Sequence, residues 1–281
     1  MKEAASYDAV VFAGGGCRCF WQVGFWEVAA PAVGLAPKEI GAVSAGAAMA
    51  CMVLAGAVEE GVAYFKSRAA QNHRNAYPRN LLRREPVFPH ERIYRDTILH
   101  ACRDPAALAR LRDGPEIRVL LARLPAWLGA RSGVALGFLA YEAEKLLRPR
   151  VHPILARRAG FVSEIASLRE CRTAEEIADL ILQSSCTPPF TPVYRRDARP
   201  VLDGGLIDNV PIETVDGAKE TLVLLTRRYD DRLVPRTPGR TYVQPSENIP
   251  IEKWDYTSPA LVDATLELGR RDGERFVASR S

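Results

Sequence analysis

Three short stretches combine residue types and spacings that could do chemistry. Ser44 stands in Ile40-Gly-Ala-Val-Ser44-Ala-Gly46-Ala, between a β-rich run and a stretch of small residues. A serine held on a tight strand-to-helix turn projects its hydroxyl as a nucleophile, and the positions two before and two after it must be small. Ala42 and Gly46 meet that demand, although an N-capping serine would look similar. The second stretch is Val10-Val-Phe-Ala-Gly14-Gly15-Gly16-Cys17-Arg18-Cys19, a strand that breaks into three glycines ahead of a helical pattern. Such glycines expose backbone amides beside a helix N-terminus, a place for a phosphate or a transient oxyanion. A dinucleotide site would need a glycine where Cys19 stands and an acid closing the second strand, whereas the run at Glu39 leads into Ser44. The third is Val201-Leu-Asp203-Gly204-Gly205-Leu-Ile-Asp208-Asn209-Val-Pro211, a short strand ending in an acid on a double-glycine turn. Alone this is an Asx-turn; beside a candidate nucleophile, Asp203 is a candidate base.

A serine hydroxyl is a poor nucleophile until a neighbour accepts its proton, and histidine is the usual acceptor. The chain has four histidines, His73, His90, His100 and His152. An α/β-hydrolase follows the order Ser, acid, His, but nothing after His152 could serve. All four lie in a basic or helical region without motif context and read as surface residues. A carboxylate can replace imidazole if it hydrogen-bonds directly to the hydroxyl, with positioning compensating for its weak basicity.

These residues need elements to hold them. Short β-rich runs alternate with longer helical patterns, which predicts an α/β layered domain. Strands are expected at Ala9 to Ala13, Glu39 to Val43, Ile117 to Ala122, Arg199 to Leu202 and Thr221 to Thr226. Helices are expected near 18–30, 45–69, 91–101, 104–112, 135–147, 174–184 and 260–278. Thr173 with Glu176 forms a capping box, and Pro259 suits a first helical turn. The Pro-rich stretch from Asn72 to Pro89 reads as a loop carrying a helical insert over the sheet.

With 281 residues, 47% of them hydrophobic and 26% charged, the chain can bury a sizeable single core. A formal charge of +4 is too small an excess to make nucleic acid the default partner. The bases are concentrated instead: between Lys66 and Arg112, Arg68, Arg74, Arg79, Arg83, Arg84, Arg92, Arg95, Arg103 and Arg110 face only four acids. Such a stretch is a solvated helical face or a contact for an anionic membrane. Residues 41–58 carry no charge, but their Ala and Gly content and the Glu59-Glu60 that follows favour a helix buried against a sheet. The six cysteines are scattered, and Met1 to Asp8 runs into a strand without a secretory pattern, so reduced thiols and a cytoplasmic location are expected. Cys17 and Cys19 lack a second ligand pair, so no metal and no cofactor is expected.

The three motifs, in this order, resemble the patatin-like phospholipases, which combine a Gly-Gly-Gly-x-Arg/Lys-Gly loop, a Gly-x-Ser-x-Gly elbow and a later Asp-Gly-Gly/Ala. The segment Gln183-Ser-Ser-Cys-Thr-Pro-Pro-Phe-Thr-Pro192 and the Asn209-x-Pro211 ending are also similar. The resemblance implies a three-layer α/β/α fold with a mainly parallel central sheet and a helical insert between the elbow and the dyad acid. As one domain over 1–281, it would have a core at about 8–70 and 115–230, an insert at about 72–170 that overlaps a core strand near 117–122, and a C-terminal helix at about 258–279. It implies a Ser44–Asp203 dyad without histidine, an oxyanion hole from Gly14, Gly15, Gly16 and Arg18, and a lipid or phospholipid substrate met by peripheral membrane contact. Two positions depart from the family pattern: Ala42 replaces the first elbow glycine, and Cys19 the last loop glycine. The lipid would approach from the apolar segments Leu124 to Gly129 and Val134 to Ala140, which an ordinary core helix and its lead-in explain equally well. An acyltransferase with the same dyad, and a non-catalytic lipid- or nucleotide-binding domain, remain alternatives.

Overall fold

The computed structural model describes residues 7–125, 129, 151–153 and 155–280. Five mutually parallel strands form the centre: β1 (Ala9–Phe12), β2 (Glu39–Val43), β3 (Glu116–Arg123), β7 (Thr221–Leu224) and β8 (Arg240–Val243). β4 (Val162–Ser167) and β6 (Arg199–Asp203) pair antiparallel with β3, and the two-residue β5 (Arg195–Arg196) pairs antiparallel with β6. The spatial order is β5-β6-β3-β2-β1-β7-β8. All five expected strands are present, while β4, β5 and β8 are additional.

β1 lies at the middle because it is apolar on both faces. Val10 and Phe12 enter one hydrophobic cluster, and Ala9, Val11 and Ala13 enter a second. Successive strand residues point to opposite faces, so the sheet is covered on both sides. This is a mixed α/β fold on a central, mostly parallel sheet, as expected. The larger cluster is built by α1 (Phe20–Val33), α2 (Ala45–Ala55), α3 (Val58–Gln71), α4 (His90–Cys102), α5 (Pro105–Asp113), α7 (Ala174–Ser184) and α8 (Pro259–Ala278). α6 (Leu155–Arg158) is a single turn. α1 and α8 pack tightly, and the Trp21 indole N–H donates to Asp272 Oδ2 at 2.9 Å.

Two expectations need correction. The helix anticipated over 45–69 is two helices, because Gly56 adopts φ 62° and caps α2 before Val58 starts α3. The uncharged run therefore ends in an 11-residue buried helix, about 16 Å long and too short for a bilayer. Among the described residues no helix is long and apolar enough to cross a membrane. The expected helix at 135–147 and most of the apolar approach segments lie outside the described residues.

Candidate active site

The glycine loop and Ser44 leave the carboxyl ends of neighbouring parallel strands, since Phe12 pairs with Ala42. In open α/β sheets such ends are where ligands bind. Ser44 turns the chain from β2 into α2 with φ 54° and ψ −135°, and is only 5% exposed. For a residue with a side chain this backbone is strained, costing of order 1–3 kcal/mol. The turn is held by its surroundings. Ser44 N–H donates to Ser184 Oγ at 2.8 Å, and Ser184 Oγ–H donates to the Leu120 carbonyl at 2.7 Å, tying the elbow to β3 and α7. Gly46 lets α2 start against β1: a Cβ there would lie 2.5 Å from the Phe12 carbonyl oxygen and 2.6 Å from that of Ala13. Relief of the strain makes a prediction. Ser44→Gly should be about 1–2 kcal/mol more stable than Ser44→Ala in urea unfolding, although glycine normally destabilises through the unfolded chain.

Asp203 reaches Ser44 because of sheet register. Val43 pairs with Leu120, and Leu121 pairs with Asp203, so the end of β6 comes level with the elbow across β3. The next residue must be glycine for this approach, since a Cβ on Gly204 would stand 2.1 Å from the Leu120 carbonyl oxygen. Ser44 Oγ–H donates to Asp203 Oδ2 at 2.8 Å. Thr187 Oγ1–H donates to the same oxygen at 3.2 Å, and Gly205 N–H donates to Oδ1 at 2.7 Å. Burial raises the Asp203 pKa above the usual carboxylate value, opposed by the Lys253 ammonium and by these three donors. The acid is thus fixed by every bond it makes and made a better base by its burial.

The glycine loop lies against this pair: a Cβ on Gly14 would be 3.4 Å from Ser44 Cβ. Gly14 N–H is committed to the Asn209 carbonyl at 2.9 Å, and the Gly14 carbonyl accepts from Asn209 Nδ2 at 2.7 Å and from Thr226 Oγ1. Cys17 N–H donates to the Lys253 carbonyl at 3.0 Å, and Arg18 N–H makes only a long 3.4 Å contact to Gly15 O. The amides of Gly15 and Gly16 donate to no acceptor among the described residues. The Arg18 guanidinium pairs with Glu252 at 2.8 Å.

The two departures from the family pattern turn inward. Cys19 is fully buried with its thiol directed at the Ala13 carbonyl, 3.5 Å away, and burial raises its pKa. Cys17 points to the Asp255 carbonyl at 3.2 Å, so the two thiols face different acceptors. Ala42 is buried within β2. The expected surface role of the histidines fails for His90, which is 2% exposed where α4 begins. It packs among Phe88, Phe190, Trp254 and Tyr256, and burial lowers its pKa. It fails also for His152, which is half-buried and bonded through Nδ1 to Asp208 at 2.7 Å and through Nε2 to the Tyr242 hydroxyl at 3.1 Å. Among the described residues no histidine bonds to Ser44.

Ser184, Thr187 and Lys253 belong to the site as well. The first two fall in the Ser- and Pro-rich segment already singled out, whereas nothing around Lys253 in the sequence marks it.

The family model for patatin-like phospholipase matches residues 10–216, about three quarters of the chain and all three motifs. No curated protein matches this sequence. Among solved structures, that of VipD from Legionella pneumophila is similar at 10% identity and a TM-score of 0.50, covering 98% of this chain and 67% of that one. That identity speaks for the shared fold alone, but the family match spans strand, elbow, acid and their connections, and the chain belongs to the patatin-like phospholipase family.

Proposed function

We propose that the chain is a serine lipid acyl hydrolase that cleaves fatty acyl esters, of phospholipids or related lipids, through an acyl-enzyme on Ser44. The observation that carries this reading is the 2.8 Å hydrogen bond from Ser44 Oγ to Asp203 Oδ2, beside two glycine amides of the adjoining loop that meet no acceptor among the described residues. As Ser44 Oγ attacks the ester carbonyl carbon, its proton passes to Asp203 Oδ2. The carbonyl oxygen becomes an oxyanion facing the N–H groups of Gly15 and Gly16, and collapse expels the alcohol, which takes the proton back. Water then attacks the acyl-enzyme by the same route and releases the fatty acid. Donors fixed before the reaction act most strongly where water is excluded, and losing one typically lowers turnover by about 100- to 1000-fold. Gly14 supports this loop through Asn209, Thr187 orients the acid, and Lys253 favours its charged form. The substrate is met at a membrane surface by peripheral contact.

A fluorophosphonate probe tests the reading directly. It should label the wild-type protein, and the modified peptide should contain Ser44. Absence of labelling, together with no hydrolysis of a short-chain aryl ester, would overturn it in favour of a non-catalytic lipid-binding domain.

A further inference from the structure

We infer that the arm between α3 and α4 carries a membrane-docking knuckle, with Leu81 and Leu82 entering the headgroup region of an anionic bilayer and Arg79, Arg83 and Arg84 pairing with its lipid phosphates. From Gly61 to Arg84 the chain has six basic residues and no acid. The six-residue 3-10 helix Pro78–Arg83 forms the tip of the arm, with Arg84 ending it. Leu81 is 73% and Leu82 89% exposed, the two most exposed large apolar side chains among the described residues, and they are adjacent. Arg74, Arg79, Arg83 and Arg84 form no ion pair among the described residues, whereas Lys66 and Arg95 are paired with Asp263 and Asp179.

Adjacent exposed leucines are unfavourable in water and gain by leaving it; a rim of arginines gives that transfer a partner of opposite charge. The knuckle is also held stiffly. Tyr77 N–H donates to the Val87 carbonyl at 2.8 Å, Asn80 Nδ2 to the Pro86 carbonyl at 2.9 Å, and Glu85 N–H to the Asn80 carbonyl at 3.0 Å. A stiff tip keeps both leucines presented without an ordering cost on contact.

The base of the arm connects to the candidate site. Asn72 Nδ2 donates to the Tyr256 carbonyl at 2.9 Å, and Tyr256 N–H donates to Asn75 Oδ1 at 2.8 Å. Three residues earlier in that segment, the Lys253 carbonyl accepts from the Cys17 amide of the glycine loop. The knuckle is therefore joined to the loop that borders Ser44 through the chain segment 72–78, the hydrogen bonds to Tyr256, the segment 253–256 and the Cys17–Lys253 hydrogen bond. Beneath the arm, Leu81, Phe88, Ile93 and Phe190 line a groove of about 970 Å³ that continues this apolar surface inward. The inference deepens the lipid-hydrolase reading and takes its purpose from it, but the contact itself does not require Ser44.

The test is co-sedimentation of the Ser44→Ala protein with phosphatidylcholine vesicles made with and without phosphatidylglycerol. The protein should bind the anionic vesicles and prefer them strongly over pure phosphatidylcholine. Adding Leu81→Ala and Leu82→Ala should weaken binding about tenfold or more, and adding Arg79→Gln, Arg83→Gln and Arg84→Gln should remove the preference for anionic lipid. Both sets lie at exposed positions, so unchanged melting temperatures serve as the folding control. No binding of the Ser44→Ala protein to anionic vesicles would overturn the inference and leave the knuckle as a contact for a protein. Binding that survives the leucine changes would also overturn it, as adsorption by charge alone. Fluorophosphonate labelling of the wild type is read separately, so either reading can fail without the other.

Discussion

Replacing Ser44 by alanine should lower aryl-ester turnover by about 10⁴- to 10⁶-fold and abolish fluorophosphonate labelling, while the protein remains folded. An effect this large is expected because, among the described residues, Ser44 makes the shorter of the two hydroxyl bonds to Asp203 Oδ2, at the end of the central sheet, and is the proposed acyl carrier. The hydroxyl lies at the bend of a strained turn, bonded to a half-buried acid, and the methyl of alanine leaves Asp203 with the Thr187 and Gly205 donors. Stopped assays with purified variant and wild type, matched by circular dichroism, read the ratio. A variant retaining even a tenth of the wild-type rate would show that the ester is cleaved elsewhere.

Asp203→Asn carries the second large effect, a loss of about 10³- to 10⁵-fold in turnover, since the amide cannot accept the serine proton. Stability should move the other way. Burial raises the folded-state pKa of Asp203 above its unfolded value of about 3.8, so the folded protein holds that proton more tightly. Stability contributed by this group is fully present below the unfolded pKa and is lost as pH rises through the raised folded one. Above that raised value the wild type bears the cost of ionising a half-buried carboxylate, which asparagine removes while its oxygen still accepts from Gly205 N–H. The variant should melt no lower than wild type, and its pH–stability curve should lose the step above pH 3.8. The same shift sets the rate profile of the wild type. Because the base acts as carboxylate, kcat/KM should fall as pH drops through the raised Asp203 pKa, placing the acid limb above pH 3.8. Full activity of a folded Asp203→Asn protein would point to a histidine as base.

The three motifs were legible in the sequence because tight backbone geometry restricts residue type. Gly46 and Gly204 stand where a Cβ would meet a carbonyl oxygen, and an acid before a double glycine announces its own turn. β1, β2 and β7 were legible because strands buried on both faces are continuously apolar. β4 was not: Val162 is 60% and Ile165 44% exposed, so no alternation marks Val162–Ser167 as a strand. β8 has every residue half-buried and gives equally little contrast. The single helix expected over 45–69 followed an apolar period that continues through Gly56, where the positive φ of Gly56 and the non-helical Ala57 divide α2 from α3. Lys253 was invisible because its place beside the glycine loop depends on a connection of more than two hundred residues. His90 was misjudged because its neighbours Phe190, Trp254 and Tyr256 come from far along the chain.

The pairing of Leu121 with Asp203 has a consequence for the newborn chain. Ser44 and Asp203 are 159 residues apart, and the strand that carries the acid is the sixth of the eight in chain order. Contacts of such sequence separation form late, after the local helices, because the loop between them must close first. A chain synthesised only as far as α3 contains Ser44 but not Asp203, the base proposed for it. On the proposed mechanism, turnover during refolding should appear only once β6 has joined β3.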